Sequence, residues 1–296
     1  MSSNPTLTLQ RGSDSIDLWE NPGDGYTLLH GSTGLGIAPT ESSLDAIPAG
    51  HGSLLRHTRL TDREIYLPIM LDGRDMEECD RLRDRLHALL DPTRGMVRIQ
   101  VQSKTRNQSS RFIEAIYSGG LEGDYDSNYV GVRQTIGLRF KAPTAFWSGD
   151  PVVKMWQIAP GVKPFLSQTT PFFPVILSSS TIGGEFFLPI EGDQPAWPVY
   201  TITGPGGDPI IERVDTGQKI AFSGQIATGK AVTFDTSQGT VTSPGVPAES
   251  LWPRVGPESD FFSIGPGPVR LRVRFTSASE MSSLTVSYVP QYLTGY

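Results

Sequence analysis

The stretch REIYLPIMLDGRDMEECDRLRDRLHALLDP, Arg63–Pro92, carries two hydrophobic periods in one run. Ile65, Leu67 and Ile69 recur at the strand period of two. Pro68 has no ladder donor, which places this strand at a sheet edge. Asp72-Gly73 supplies a turn, and Asp75 with Glu78 three residues on forms a capping box for a helix over residues 75–91. Met76, Cys79, Leu82, Leu86 and Leu89 then fall every three or four residues, the face this helix is expected to bury. Glu77, Asp80, Arg81, Arg83, Asp84 and Arg85 cover its other sides. Asp91-Pro92 stops it, because a residue before proline disfavours the αR region. A single amphipathic helix needs a sheet to lie on, so the first domain is expected to be a β-sandwich or open barrel with one packed α-helix.

Outward from this stretch the sequence reads as strands. Leu7, Leu9, Ile16 and Leu18 alternate around Arg11-Gly12-Ser13-Asp14, a first hairpin. Residues 96–102 alternate strictly, with Val97, Ile99 and Val101 inward, and residues 111–117 return as the partner strand after a polar loop. Residues 132–140 repeat the pattern with Val132, Ile136, Leu138 and Phe140 on one face. Residues 48–59 read only as a segment rich in glycine and arginine. Breakers cluster at Ser148-Gly149-Asp150-Pro151, which sets domains at 1–150 and 151–296. Short strand signals in the second half, at 172–177, 185–190, 199–203, 209–214, 219–222, 231–235, 269–275 and 284–289, predict a jelly-roll sandwich without a helix.

Composition narrows the function. Glycine (32) and proline (24) are abundant in the 296 residues without a collagen-like period, which suits turn-rich β structure. A net charge of −6 and a pI near 5.3 argue against a nucleic-acid binder working through a basic surface. The single Cys79 rules out an internal disulfide framework and a multi-cysteine metal site. No apolar run reaches the roughly 18 residues that cross a bilayer, and Met1–Pro5 lacks the charged and apolar regions of a signal peptide. The expectation is a soluble chain that stays unexported.

The sequence also offers little catalytic chemistry. His30, His51, His57 and His87 include no i, i+4 pair with an adjacent glutamate, and no Gly-x-Ser-x-Gly turn occurs. Asp124-Tyr125-Asp126-Ser127-Asn128 starts like a calcium loop, but Tyr129 stands where glycine makes the turn and Thr135 where a bidentate glutamate belongs. We therefore expect no catalytic, metal or cofactor residues, and no enzyme. The candidate contacts are of another kind. Arg270, Arg272 and Arg274 share one strand face, either solvated or turned to an acidic partner. Lys104 and Arg106 sit in the polar hairpin loop. Trp197 and Trp252 are candidates for stacking on a glycan, against a packing role for Trp197 between Pro195 and Pro198.

Taken in order, these landmarks resemble the distal tail proteins of long-tailed, non-contractile bacteriophages. The resemblance runs through the strand-helix unit of residues 63–90, Asp91-Pro92-Thr93-Arg94-Gly95 and a strand, then Phe140-Lys141-Ala142-Pro143 leading to Phe146-Trp147. It continues through Trp197-Pro198-Val199-Tyr200-Thr201-Ile202-Thr203-Gly204-Pro205, Thr216-Gly217, Gly229, Asp235, Phe261-Phe262 and Gly265-Pro266-Gly267. Thr144-Ala145 replace the family's usual Asp-Pro, and Pro268 its usual Asn. The resemblance implies a galectin-like second domain and a homo-hexameric ring built by first domains. Such a ring joins the tail tube protein to the tip hub and lets DNA pass. It implies a place at the tail tip of the virion, synthesis in the host cytoplasm, and an outer domain that stays bare, carries a receptor-binding protein or meets host glycan.

Overall fold

The computed structural model describes residues 6–18, 25–103, 109–122, 129–157, 184–245 and 247–296. The chain divides into two units, Met1–Asp150 with Tyr292–Tyr296, and Pro151–Gln291. Both are built of antiparallel strands, and the described residues contain one α-helix.

In the first unit, β1 (Thr6–Arg11), β2 (Asp14–Leu18), β3 (Tyr26–Leu28), β4 (Thr40–Ala46), β5 (Ser53–Leu60) and β6 (Arg63–Asp72) precede helix α1 (Met76–Leu90). After it come β7 (Val97–Gln102), β8 (Ser110–Gly119), β9 (Tyr129–Val130), β10 (Arg133–Ala142) and β11 (Trp147–Gly149). The sheet runs β2-β1-β7-β8-β10-β6-β3 and curls into a nearly closed barrel. Alternation fills its interior with Leu7, Leu9, Ile16, Leu18, Ile65, Leu67, Ile69, Leu71, Val97, Ile99, Val101, Ile113, Leu138 and Phe140, all buried.

Strand β6 is not an edge. β10 pairs with it from Ala142↔Arg63 to Arg133↔Asp72, and β3 pairs with Ile69–Leu71. Pro68 is tolerated because of the side it faces. The Leu29 amide donates to the Pro68 carbonyl (2.8 Å) and the Tyr66 amide to the Thr33 carbonyl (3.1 Å), so even-numbered residues point to the short, interrupted β3 side. The ladder to β10 loses no donor.

Helix α1 starts as its sequence dictates, with one refinement. Asp75 accepts from the Glu78 amide (2.7 Å), but Glu78 accepts from the Arg74 amide (2.8 Å), one residue outside the cap, and also pairs with the Arg74 guanidinium. Those bonds from Arg74 hold the Glu78 carboxyl down at about 2. Cys79, Leu86 and Leu89 are buried and Leu82 packs against the core, but Met76 is 59% exposed. Side chains tilt toward a helix's N-terminus, so one in the first turn points off its end. Leu90 is buried at the other end. The helix covers the seam of the barrel: the Tyr26 hydroxyl donates to the Leu82 carbonyl (2.8 Å) and Arg85 to the Ser15 carbonyl of edge strand β2 (2.8 Å).

The second unit is a two-sheet sandwich. One sheet orders β12 (Val152–Gln157), β22 (Ser283–Tyr288), β14 (Val199–Thr203), β18 (Ala231–Asp235), β19 (Thr240–Ser243) and β20 (Glu249–Ser250). The other orders β13 (Glu185–Ile190), β21 (Gly267–Thr276), β15 (Gly206–Arg213) and β16 (Lys219–Ala221), with β17 (Gln225–Ile226) beside β15. Leu188, Tyr200, Ile202, Ile211, Phe234, Leu271, Leu284 and Val286 fill the space between them. The strand expected at 172–177 lies outside the described residues. Residues 292–296, assigned to the second domain from sequence, belong to the first unit.

Two outcomes test this account. Leu86→Ala should lower the first unit's stability by about 2–5 kcal/mol, whereas Met76→Ala should stay within about 0.5 kcal/mol, read by chemical denaturation. The depressed Glu78 pKa means stability that is present above the ordinary carboxylate value and lost as pH falls toward 2. Melting temperatures across that window should therefore drop less steeply in Glu78→Gln than in the parent.

Candidate assembly surfaces

Among the described residues strands β4 and β5 pair only with each other, and every residue of both is exposed except Leu60. Their register separates two faces. Glu41 with Arg59 and Asp45 with Arg56 form ion pairs at 2.6 and 2.7 Å on one. Ser42–Thr58 and Leu44–Leu55 lie together on the other, with Leu44 60% and Leu55 62% exposed. A two-stranded ribbon with no core of its own is at best marginally stable in water. The sequence reading missed it, although Leu44, Leu54 and Leu55 beside the turn at Pro48 carried a signal.

A second surface is internal to the first unit. Arg63 is 1% exposed and Arg111 is also buried, and each occupies an inward position of an alternating strand, β6 and β8. Arg63 donates to the carbonyls of Gly34 (3.0 Å), Gly36 (2.7 Å), Ala145 and Leu293 (3.4 Å). Arg111 donates to those of Thr294 (2.8 Å) and Tyr296 (3.2 Å) and lies 3.8 Å from the Tyr292 ring centroid. Burial pulls the Arg63 pKa down from its ordinary value. An arginine at inward parity was the signal available in the sequence.

The structure distributes the other candidates. Lys104 and Arg106 lie outside the described residues, as do residues 124–128. Arg270, Arg272 and Arg274 share the outer face of β21 as expected, but they meet acids of their own sheet. Arg272 bridges Glu185 and Glu212, Arg274 reaches Glu212 (3.2 Å), and Arg270 approaches Glu185 (3.6 Å). These bonds hold the Glu185 carboxyl below its usual range. Trp197 and Trp252 are half-exposed and lie on different segments; Trp252 stacks on Phe261 with centroids 5.5 Å apart. Among the described residues no three His, Cys, Asp or Glu side chains gather as a metal site. An open groove of about 490 Å³ is lined by Thr33, Glu64, Ile65, Tyr66, Ser118, Arg139 and Phe140, with no histidine beside its hydroxyls.

Residues 191–292 match the family model of the siphovirus-type tail component, C-terminal domain. No curated protein matches the chain. Similar solved structures include the Dit protein (gp 19.1) of phage SPP1, described as a paradigm of the hub adsorption apparatus in phages infecting Gram-positive hosts. It shares 14% identity over 96% of this chain and 98% of that one, with a TM-score of 0.66. Chains of the phage P2 baseplate in its activated conformation, with Ca and with Sr, share 12% and 11% identity over 96% of this chain and 97% of theirs, each at a TM-score of 0.51. The fold is thus that of a phage tail and baseplate component. Residues 191–292 resemble the C-terminal domain of the siphovirus-type tail component, and the fold of the whole chain is similar to that of the SPP1 Dit protein.

The arginine ladder on β21 has a modest structural value. Arg272→Met should destabilise the second unit slightly and the more exposed Arg274→Met less, with both differences shrinking in molar salt. Denaturant titration at two ionic strengths reads both.

Proposed function

We propose that this Dit-like chain is a structural, non-enzymatic component of the tail tip, whose first units assemble into a homo-hexameric ring. The observation that carries this reading is the bare β4–β5 ribbon, which offers Leu44 and Leu55 to a partner rather than to its own core. A second copy is the partner that supplies the same ribbon and a complementary surface around a closed ring. The ring joins the tail tube to the tip hub and leaves a channel for the genome. An overall charge of −6 suits passage of DNA without binding. The second unit serves contact with a receptor-binding protein or the host surface.

Native mass spectrometry and negative-stain images of the purified chain test this. The parent should form six-membered rings at micromolar concentration. Leu44→Asp combined with Leu55→Lys should leave monomers whose stability changes by no more than about 0.5 kcal/mol, because both side chains are exposed in the single chain and the two opposite charges face each other across the strands. A double variant that still forms rings would remove the ribbon from the interface. The half-exposed Trp197 and Trp252 support a second reading, host-glycan binding by the second unit. That reading requires glycan-array binding that Trp252→Ala or Trp197→Ala abolishes.

A further inference from the structure

The root of the exposed ribbon and the segment Tyr292–Tyr296 meet at one guanidinium. Arg63 follows β5, while Gly34 and Gly36 precede β4, so its bonds to their carbonyls tie the two legs of the ribbon together. The same guanidinium holds the Leu293 carbonyl. Between the two glycines, the Leu35 carbonyl accepts from the Gly295 amide (2.8 Å), and the Thr61 amide donates to the Pro39 carbonyl (2.9 Å) to close the root. Arg111 secures the far end of the segment through Thr294 and Tyr296.

The fit is close on both sides. Gly34 has φ +81°, and a Cβ there would stand 2.1 Å from the Glu64 carbonyl oxygen; a Cβ on Gly295 would stand 2.9 Å from the Trp147 ring. Only glycine lets the chain at residue 34 lie so near the Glu64 backbone and the chain at residue 295 so near the Trp147 ring. Without the segment, Arg63 loses one acceptor and the Leu35 carbonyl loses its donor, both at the base of a ribbon that pairs with no other strand among the described residues.

We propose that Tyr292–Tyr296 is a latch that aims the β4–β5 ribbon, so that the chain self-associates only when this segment is docked on Arg63 and Arg111. The consequence for assembly rests on the ring reading; the hold on the ribbon root rests on the geometry of the first unit alone.

Two variants of the 296-residue chain test it, Gly295→Ala and a chain ending at Gln291, each compared with the parent by hydrogen exchange and native mass. Docking loss should raise exchange roughly tenfold or more at the amides of Thr33, Thr61 and Tyr66, with no change in β14 and β18 of the second unit. The fraction in rings should fall by a similar factor, roughly tenfold, at a concentration where the parent is assembled. Gly295→Ala keeps the test valid if the shortened chain fails to fold. Unchanged exchange at the ribbon root overturns the latch. Faster exchange with undiminished rings overturns its control of assembly. A parent that never assembles overturns the ring reading and the gating with it, while the exchange data still decide whether the segment holds the ribbon.

Discussion

A guanidinium taken out of water must find oxygen atoms, and in this chain the most buried one finds them on the backbone. Arg63 has no ion-pair partner among the described residues; its bonds go to carbonyls of residues 34, 36, 145 and 293. A carboxylate would have satisfied it from a single position in the sequence. Carbonyls instead recruit three separate stretches of chain, so the penalty for burying one charge becomes a restraint on all of them. The Trp147 ring, 5.6 Å away, adds an aromatic face to the same node. The barrel interior gives the first unit its stability, but this node decides where its irregular segments go.

That division explains why one unit holds both a well-filled barrel and a strand pair with no core. Barrel strands are specified by their own alternation and by the helix lying over the β2–β3 seam. The β4–β5 ribbon is specified only at its root and by cross-strand pairs along its length. Its ion-paired face keeps it soluble and in register, and its leucine face remains unsatisfied within the single chain. The second unit follows the ordinary rule. Its outward charges on β21 are neutralised by glutamates on the neighbouring strands, which leaves less charge for a partner than three arginines on one face suggest.

What the sequence makes legible follows the same lines. Strands that alternate against their own core can be read directly: Glu185–Ile190, Val199–Thr203 and Ala231–Asp235 occur with the bounds their alternation indicates. So can the helix, because Asp75 caps its start and Asp91-Pro92 stops its end, each a signal read from neighbouring residues. Met76 was misplaced because periodicity ignores the tilt of side chains at a helix end. The role of Pro68 was misread because a sequence does not say which neighbour an amide faces. The ribbon was missed because its apolar residues follow no core of this chain, and the 292–296 segment because its partners lie more than 180 positions away. Arg63 and Arg111 at inward positions were visible, but what they hold was not.

The placement of residues 292–296 also sets an order of events during synthesis. The second unit is an insertion: the chain leaves the first unit after Asp150 and re-enters it at Tyr292. A ribosome adding residues from the N-terminus releases the barrel strands, then the whole sandwich, and only afterwards the segment that meets Arg63 and Arg111. Until that moment both arginines wait with acceptors missing. The first unit is thus completed only after the second has been translated, and its completion reports that everything between has already been made.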